Sequence, residues 1–340
     1  MIDNHIREYQ KSANFEIATN INGLMDQTFF LHQNLNDFDS FCENARNWDL
    51  HYQQLDSGKF SSELLVFGNN ETQFTHARLG RKMLQQGASP QGLITFGILA
   101  NPEISIHWRN IDISGDMLFI FPEGGELNSI SQSDFNVYVL SLSEEKLNAS
   151  CDLLDLPDIR TLINNNEVFK CQSEKMAEFR RWLHTVKIKL TSLDSSVRDK
   201  HYLYHIEQEI IDRILRILTE NRIVTKGRSR KRDIALSIAE NYISEPNRVI
   251  VTITELCDVA NISERTLEYA FRERYGMTPK RFSLVYRLNS VRKKLRKTQS
   301  GAALVSEIAR QHGFWHMSDF SAAYKKLFNE LPLSTLNRRL

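Results

Sequence analysis

A pattern of aromatic, basic and turn-forming residues occurs twice in the last third of the chain. Phe271-Arg272, Tyr275-Gly276 and Pro279 are matched by Tyr324-Lys325, Phe328-Asn329 and Pro332, each pair offset by 53 positions. Such self-similarity at fixed spacing means that one supersecondary unit is built twice, so both copies must obey the same packing logic. Cys257 with Leu267 corresponds to Ala309 with Phe320, which makes the turn of the second copy one residue longer.

The first copy spells out its unit. A helix from about Asp233 to Ile243 ends at Ser244-Glu245-Pro246, because proline disfavours helix in the residue before it. Thr252-Ile253-Thr254-Glu255 is a capping box that starts a short helix running to about Ala260. Asn261-Ile262 makes a tight turn and Ser263 caps a further helix, with Leu267, Ala270 and Phe271 inward, which Gly276 stops after Tyr275. Helix, short turn and helix form a unit whose second helix projects side chains into the major groove of DNA.

On that second helix Arg265, Glu268 and Tyr269 share one exposed side and are the expected base readers, since Arg matches guanine bidentately and Glu accepts from cytosine. The stretch from Pro279 to Lys297 reads as one spacer helix between the two units. Lys280, Arg281, Arg287, Arg292, Lys293, Lys294, Arg296 and Lys297 enrich it in positive charge. Ser263, Arg272, Lys280, Arg281, Lys294 and Lys325 are candidate phosphate contacts.

The net charge of +1 hides a split. About 22 Lys and Arg face about 11 Asp and Glu from Lys226 to Leu340, leaving roughly 21 against 31 in the remainder. One end suits a polyanion and the other does not. Thr225 to Arg232, with Gly227 and several basic residues, reads as the exposed linker between them.

From Asp49 to Leu142 the chain alternates short β-branched and aromatic runs with turn clusters such as Gly68-Asn69-Asn70, Gly87-Ala88-Ser89-Pro90 and Gly124-Gly125. The runs are Asp49–Leu55, Ser62–Phe67, Leu93–Leu99, Ile104–Trp108, Met117–Phe121 and Phe135–Leu140, which suit a β-barrel or sandwich. Two long helices are expected next, at about Ser173–Thr191 and Val197–Asn221. In the second, Ile206, Ile210, Ile214 and Ile217 form an apolar stripe that needs cover, either from the chain itself or from a second copy as a dimer seam. The fold class is therefore α+β and multidomain: a β domain over 1–150, a helical segment over 151–224, the basic linker over 225–232 and an all-α double helix-turn-helix domain over 233–340.

Several chemistries find no support. Cys42, Cys151, Cys171 and Cys257 lack metal-ligand or disulfide spacing. His76 and His107 stand singly on expected strands, and the i, i+4 pair His201 and His205 has no third ligand nearby, so neither a metal nor a cofactor is expected. Without a nucleophile elbow or a metal constellation no enzyme is expected. The start of the chain has no apolar leader and no run is long enough to span a bilayer, so a cytoplasmic protein without a membrane partner is expected. Arg78, Arg81 and Lys82 beside Gly80 form a compact basic group suited to an anionic effector, and Trp108, Phe96, Phe119 and Phe121 are candidates to line its pocket.

The C-terminal residues resemble the AraC/XylS transcription regulators over about 105 residues. The resemblance is carried by Leu256-Cys257, Ser263, Leu267, Phe271-Arg272, Gly276 and Pro279, then by Ile308-Ala309, Gly313-Phe314, Ser318, Phe320, Tyr324-Lys325, Phe328 and Pro332. Cys257, Tyr324 and Asn329 depart from the family's Ala, Phe and Gly, changes that conserve size or backbone tolerance. The resemblance implies that the start of the second recognition helix also reads DNA, through His316, Met317, Ser318 and Ala322. It further implies a cupin-like N-terminal effector domain followed by dimerisation helices, hence a homodimer, a small-molecule effector and, for an activator, RNA polymerase as partners. Arg287-Leu-Asn-Ser-Val-Arg292, Gly313-Phe-Trp-His316 and Gly58-Lys-Phe60 are similar to the ethanolamine-utilisation regulator subgroup. Two rivals to the effector-sensing regulator are a DNA-bound regulator controlled by a partner protein or by concentration, and an enzyme with an appended DNA-binding domain.

Overall fold

Side-chain alternation along the strands decides the N-terminal architecture, because residues two apart share a face. The computed structural model describes residues 28–108, 111–121, 127–192, 198–220, 222–223, 231–245, 250–298 and 304–338. The linker expected at 225–232 lies, up to Arg230, outside the described residues, as does the Gly124-Gly125 turn.

The first part of the chain runs through β1 (Phe29–Leu35), α1 (Phe38–Asn44), β2 (Asp49–Gln54), β3 (Ser62–Gly68), β4 (Thr72–Leu79), β5 (Met83–Ala88) and β6 (Leu93–Leu99). It continues through β7 (Ile106–Trp108), β8 (Ile111–Ile113), β9 (Met117–Phe121), β10 (Leu127–Ser131) and β11 (Phe135–Ser143). There follow α2 (Glu144–Leu153), α3 (Ile159–Ile163), β12 (Val168–Lys170), α4 (Ser173–Ser192), α5 (Lys200–Glu220) and β13 (Arg222–Ile223). The strands form two antiparallel sheets, ordered β1-β3-β4-β11-β6-β9-β12-β13 and β2-β5-β10-β7-β8, in an open, sandwich-like arrangement.

The larger sheet is apolar on both faces, and alternate residues serve two cores. Leu64, Val66, Ala77, Leu79, Phe119, Phe121, Val137 and Val139 belong to the core shared with the second sheet. Leu65, Phe67, Phe74, Ile98, Leu118, Ile120, Tyr138 and Leu140 belong to a second core shared with the helices. Of the two covers open to the isoleucine stripe the chain itself supplies one: Ile206, Ile210, Ile214 and Ile217 are all buried in that second core. At about 1.5–3 kcal/mol for each aliphatic side chain fully removed from water, this core by itself satisfies the stripe. The helical segment is likewise joined to the sheet, since β12 pairs with β9.

Gly97 of β6 has a local duty. A Cβ there would lie 2.2 Å from the Phe119 ring, so only glycine lets that ring lie against the neighbouring strand.

The C-terminal part is helical: α6 (Lys231–Ser244), α7 (Ile253–Ala260), α8 (Glu264–Tyr275), α9 (Pro279–Lys297), α10 (Val305–Gln311), α11 (Met317–Phe328) and α12 (Pro332–Leu336). The local signals act as their chemistry requires. Thr252 and Glu255 form the capping box, Asn261 adopts φ 51°, and the Ser263 side chain accepts from the Thr266 N–H at 3.3 Å. Gly276 and Asn329 end α8 and α11 in the left-handed conformation. Thr278 caps α9 and Pro279 occupies its first turn.

Candidate DNA interface and effector cavity

Helix α7, the Asn261 turn and α8 make the first helix-turn-helix unit; α10, the turn at Gly313 with φ 79° and α11 make the second. Leu267, Ala270, Phe271 and Tyr275 anchor α8, and Phe320, Tyr324, Leu327 and Phe328 anchor α11. Three equivalent repeat pairs, Leu267 with Phe320, Phe271 with Tyr324 and Tyr275 with Phe328, are thus buried in both copies. The Tyr324 hydroxyl, extra relative to Phe, meets Thr335 Oγ1 at 2.7 Å, and Thr335 donates to Glu330 at 2.8 Å, so the buried polar group is satisfied.

The expected reading faces lie at the surface. Arg265, Tyr269 and Arg272 are exposed along one side of α8, whereas Glu268 is half-buried and sits 3.6 Å from Arg272. The Arg232 guanidinium lies 4.9 Å from the Tyr269 ring centroid. In the second unit His316, Ser318 and Ala322 are exposed and Met317 is half-buried. His316 makes no side-chain cap bond to the first turn of α11, leaving backbone amides there of the kind that meet phosphate. Among the candidate phosphate contacts, Ser263, Arg272, Lys280, Lys294 and Lys325 are exposed and Arg281 is half-buried. Between the units α9 spans 19 residues, about 28 Å at 1.5 Å per residue.

Two arginines of α9 do something the sequence did not suggest. Arg292 is only 3% exposed; its guanidinium pairs with Asp37 and Asp39, and it lies 4.1 Å from the Phe38 ring centroid. Arg296, also buried, lies 3.7 Å from Asp37 and 3.8 Å from Asp39, and Arg338 reaches Asp37 at 2.8 Å. These are contacts between α9 and the start of α1, not a solvated basic face. Burial pushes the Asp37 carboxyl up, but Arg292, the Ser40 N–H, Arg296 and Arg338 outweigh it and hold the group below its ordinary value. Asn289 adds a two-way amide clasp with the backbone of Gln54 in β2, both bonds 3.0 Å, and Gln54 Nε2 donates to the Leu327 carbonyl at 2.8 Å.

The basic group proposed for an anion is dispersed on other duties, which corrects that expectation. Arg78 pairs with Asp134 at 2.9 Å on the surface, Arg81 donates to the Ser57 and Gly80 carbonyls, and Lys82 donates to the Tyr275 carbonyl at 2.8 Å. They converge on no common point for a ligand. Trp108, by contrast, lines a cavity of about 60 Å³ between the sheets, with Phe119 and Phe121. Its ring stands 4.6 Å from Phe121 and 5.0 Å from Phe119 between centroids. Phe96 faces the second core instead.

Sequence reasoning missed the other cavity walls, among them Phe41, Arg46, Trp48, Tyr52 and Gln85. The lining residues that are only partly buried are Arg46, Trp48, Leu50 and Tyr52, which places the mouth beside α1 and β2. Trp48, Leu50 and Tyr52 also line a cleft of about 400 Å³ shared with Tyr286, Asn289 and Lys293 of α9. Among the described residues no group of three His, Cys, Asp or Glu side chains is arranged for a metal, and no helix is long and apolar enough to cross a membrane.

A helix-turn-helix domain family model matches residues 256–338. The XylDLEGF operon transcriptional activator 1 of Pseudomonas putida is 29% identical over 138 residues, covering 40% of this chain and 40% of that protein. The probable thc operon regulatory protein of Rhodococcus erythropolis is 28% identical over 99 residues, covering 29% of this chain and 30% of its own length. The chain therefore spans well under half the length of these curated relatives. Among solved structures, the AraC-like transcriptional activator CuxR is similar over 83% of this chain and 99% of its own, at 13% identity and a TM-score of 0.42.

Proposed function

We propose that this chain, whose C-terminal domain is a helix-turn-helix domain of the AraC/XylS type, is a sequence-specific transcription regulator whose N-terminal domain senses a small molecule. The observation that carries the reading is the double duty of α9. It spaces the two recognition units, and the same helix is gripped through Arg292, Arg296 and Asn289 by α1 and β2, which also wall the cavity. A molecule in the cavity that favours one placement of α1 and β2 thereby favours one placement of α9, and DNA affinity changes to the extent that the ligand prefers one state.

On this reading the partners are promoter DNA, the effector and, for an activator, RNA polymerase, in the cytoplasm. A homodimer rests on the resemblance alone, since the isoleucine stripe is used inside the chain. The similarity to transcriptional activators of Pseudomonas putida favours activation. Genome-wide occupancy of the tagged chain in its host tests the reading. Sharp promoter peaks sharing an extended two-part motif, reproduced with purified protein, are the expected result. Binding in vitro that does not distinguish such a motif from random DNA at matched salt would remove it.

A further inference from the structure

We propose that the cavity between the two sheets takes a small carboxylate with a compact apolar body, the carboxylate held by Arg46. The inference deepens the effector reading and rests on it for its regulatory meaning, though the binding itself stands on the cavity.

The body follows from the walls. Leu64, Val66, Leu79, Ile106, Val137 and Val139, with the aromatic rings already described, leave little polar surface inside. One water needs roughly 10–15 Å³ of such space, so a cavity of about 60 Å³ accommodates a body of about four to six non-hydrogen atoms.

The charge follows from Arg46. It is the one formally charged side chain among the lining residues, and it stands at the mouth. No carboxylate among the described residues pairs with it, whereas Arg81, Arg292, Arg296 and Arg338 all have acidic partners. Its guanidinium carbon lies 3.8 Å from the Phe29 ring centroid, so one face is occupied by an aromatic ring while the N–H groups at its edge remain suited to a planar two-oxygen acceptor. Deeper in the cavity wall, Gln85 Nε2 and Trp108 Nε1 are buried donors without an acceptor, which favours a body carrying one further oxygen over a pure hydrocarbon.

Position connects this site to the rest of the molecule. Arg46 directly follows α1 and its C-cap residue Ala45. Phe41 and Ala45 wall the cavity while Asp37 and Asp39, at the opposite end of the same short element, hold Arg292. A carboxylate drawn to Arg46 therefore acts on the element that grips α9.

The test uses the full chain, calorimetry, and the fluorescence of Trp48 and Trp108 with pentanoate and cyclohexanecarboxylate, each compared with its uncharged amide. At least one acid is expected to bind about ten-fold more tightly than its amide, the advantage of a charge-assisted pair. Arg46→Met should bring acid and amide within about three-fold of each other, and Arg46→Lys, which keeps charge but loses the planar fork, should fall between. Val139→Phe, which fills the cavity, should abolish both, with circular dichroism confirming that each variant is folded. Amides binding as well as acids, an acid preference that survives in Arg46→Met, or no acid bound at millimolar concentration would each overturn the proposal. DNA affinity measured on the same samples separates the two readings. Acid binding without any change at DNA keeps the site and removes its effector role; a response at DNA to other small molecules alone keeps the regulator and removes this site.

Discussion

Arg265 and Lys294 are both exposed cations of the same domain, yet the proposed reading gives them different classes of contact. Arg265 stands in the first turn of α8, where on that reading a guanidinium would meet a base edge. Lys294 stands on α9, where on that reading an ammonium would meet phosphate as a point charge. Arg265→Ala is expected to cost about 1–3 kcal/mol at one operator position and to leave random DNA nearly unaffected. Lys294→Ala should weaken all sequences alike and reduce the salt slope by about one unit, measured by titration at several ionic strengths. A third residue predicts a pH effect. Burial pushes the Glu240 carboxyl up to about 7 against an ordinary 4.5, and the Tyr275 hydroxyl only partly offsets it. The folded state thus favours the protonated group, whose contribution is complete below about pH 4.5 and lost as pH rises through about 7. Glu240→Gln should flatten that decline and raise stability near pH 8 by on the order of 1–2 kcal/mol in thermal melts. Residues such as these were legible in unequal degree. The exposed face of α8 stood out because the helix's cap, turn and stop signals are all within a few positions of one another. Arg292 did not, because Asp37 lies 255 positions away and a charged residue on a basic helix has no local sign of burial.

At the scale of elements, α1 carries more than its seven residues suggest. Asp37 caps it, accepting from the Asp39 and Ser40 N–H groups at 3.0 Å through Oδ1, while Oδ2 faces Arg292 and Arg338. Arg292→Met removes the central cation and leaves Asp37 and Asp39 to Arg296 and Arg338. We expect a loss of about 3 kcal/mol, at the lower end for breaking a buried pair, and a calorimetric trace in which the two domains unfold separately. Acid should act in the same direction. Because the folded Asp37 value lies below its ordinary 3.8, the contribution of this contact is present above that value and lost as pH falls through the lowered one. Domain uncoupling should therefore appear on acidification below about pH 4 and be reduced in Asp37→Asn, whose coupling is already weak. The isoleucine stripe of α5 shows the limit of reading elements from periodicity. The 3.6-residue pattern shows that a face must be covered, but a core face and a dimer seam are the same pattern, and only the second apolar face of the sheet decides between them. Strand β4 was legible only at His76 and not as a full run for a related reason: Thr72-Gln-Phe-Thr-His-Ala-Arg-Leu79 mixes polar with apolar side chains, and its polar members find partners such as Glu207 and Asn136 only in the folded chain.

For the whole molecule, the division into an acidic half and a basic half predicts how DNA binding depends on salt. Six to ten phosphate contacts give a loss of about 10³–10⁵ in affinity between 50 and 200 mM salt, and a slope far shallower than this would mean that only one recognition unit engages. The separation along the sequence is nevertheless not a separation in space. Buried side chains run without interruption from Phe41 through Phe38 to Phe328 and Phe320, so the N-terminal β domain and the C-terminal helical domain share one interior. Exchange of genetic material between related regulators is constrained by this. A crossover between Ile223 and Lys231 would join a foreign reading domain to α1, and unless the incoming chain brought its own equivalents of Asn289, Arg292, Arg296 and Phe328, the hybrid would leave Asp37 buried without its cations. If the proposed reading holds, new operator preferences are therefore inherited most easily by substitution on the outer faces of α8 and α11, while the inner face of α9 and the start of α1 must change together.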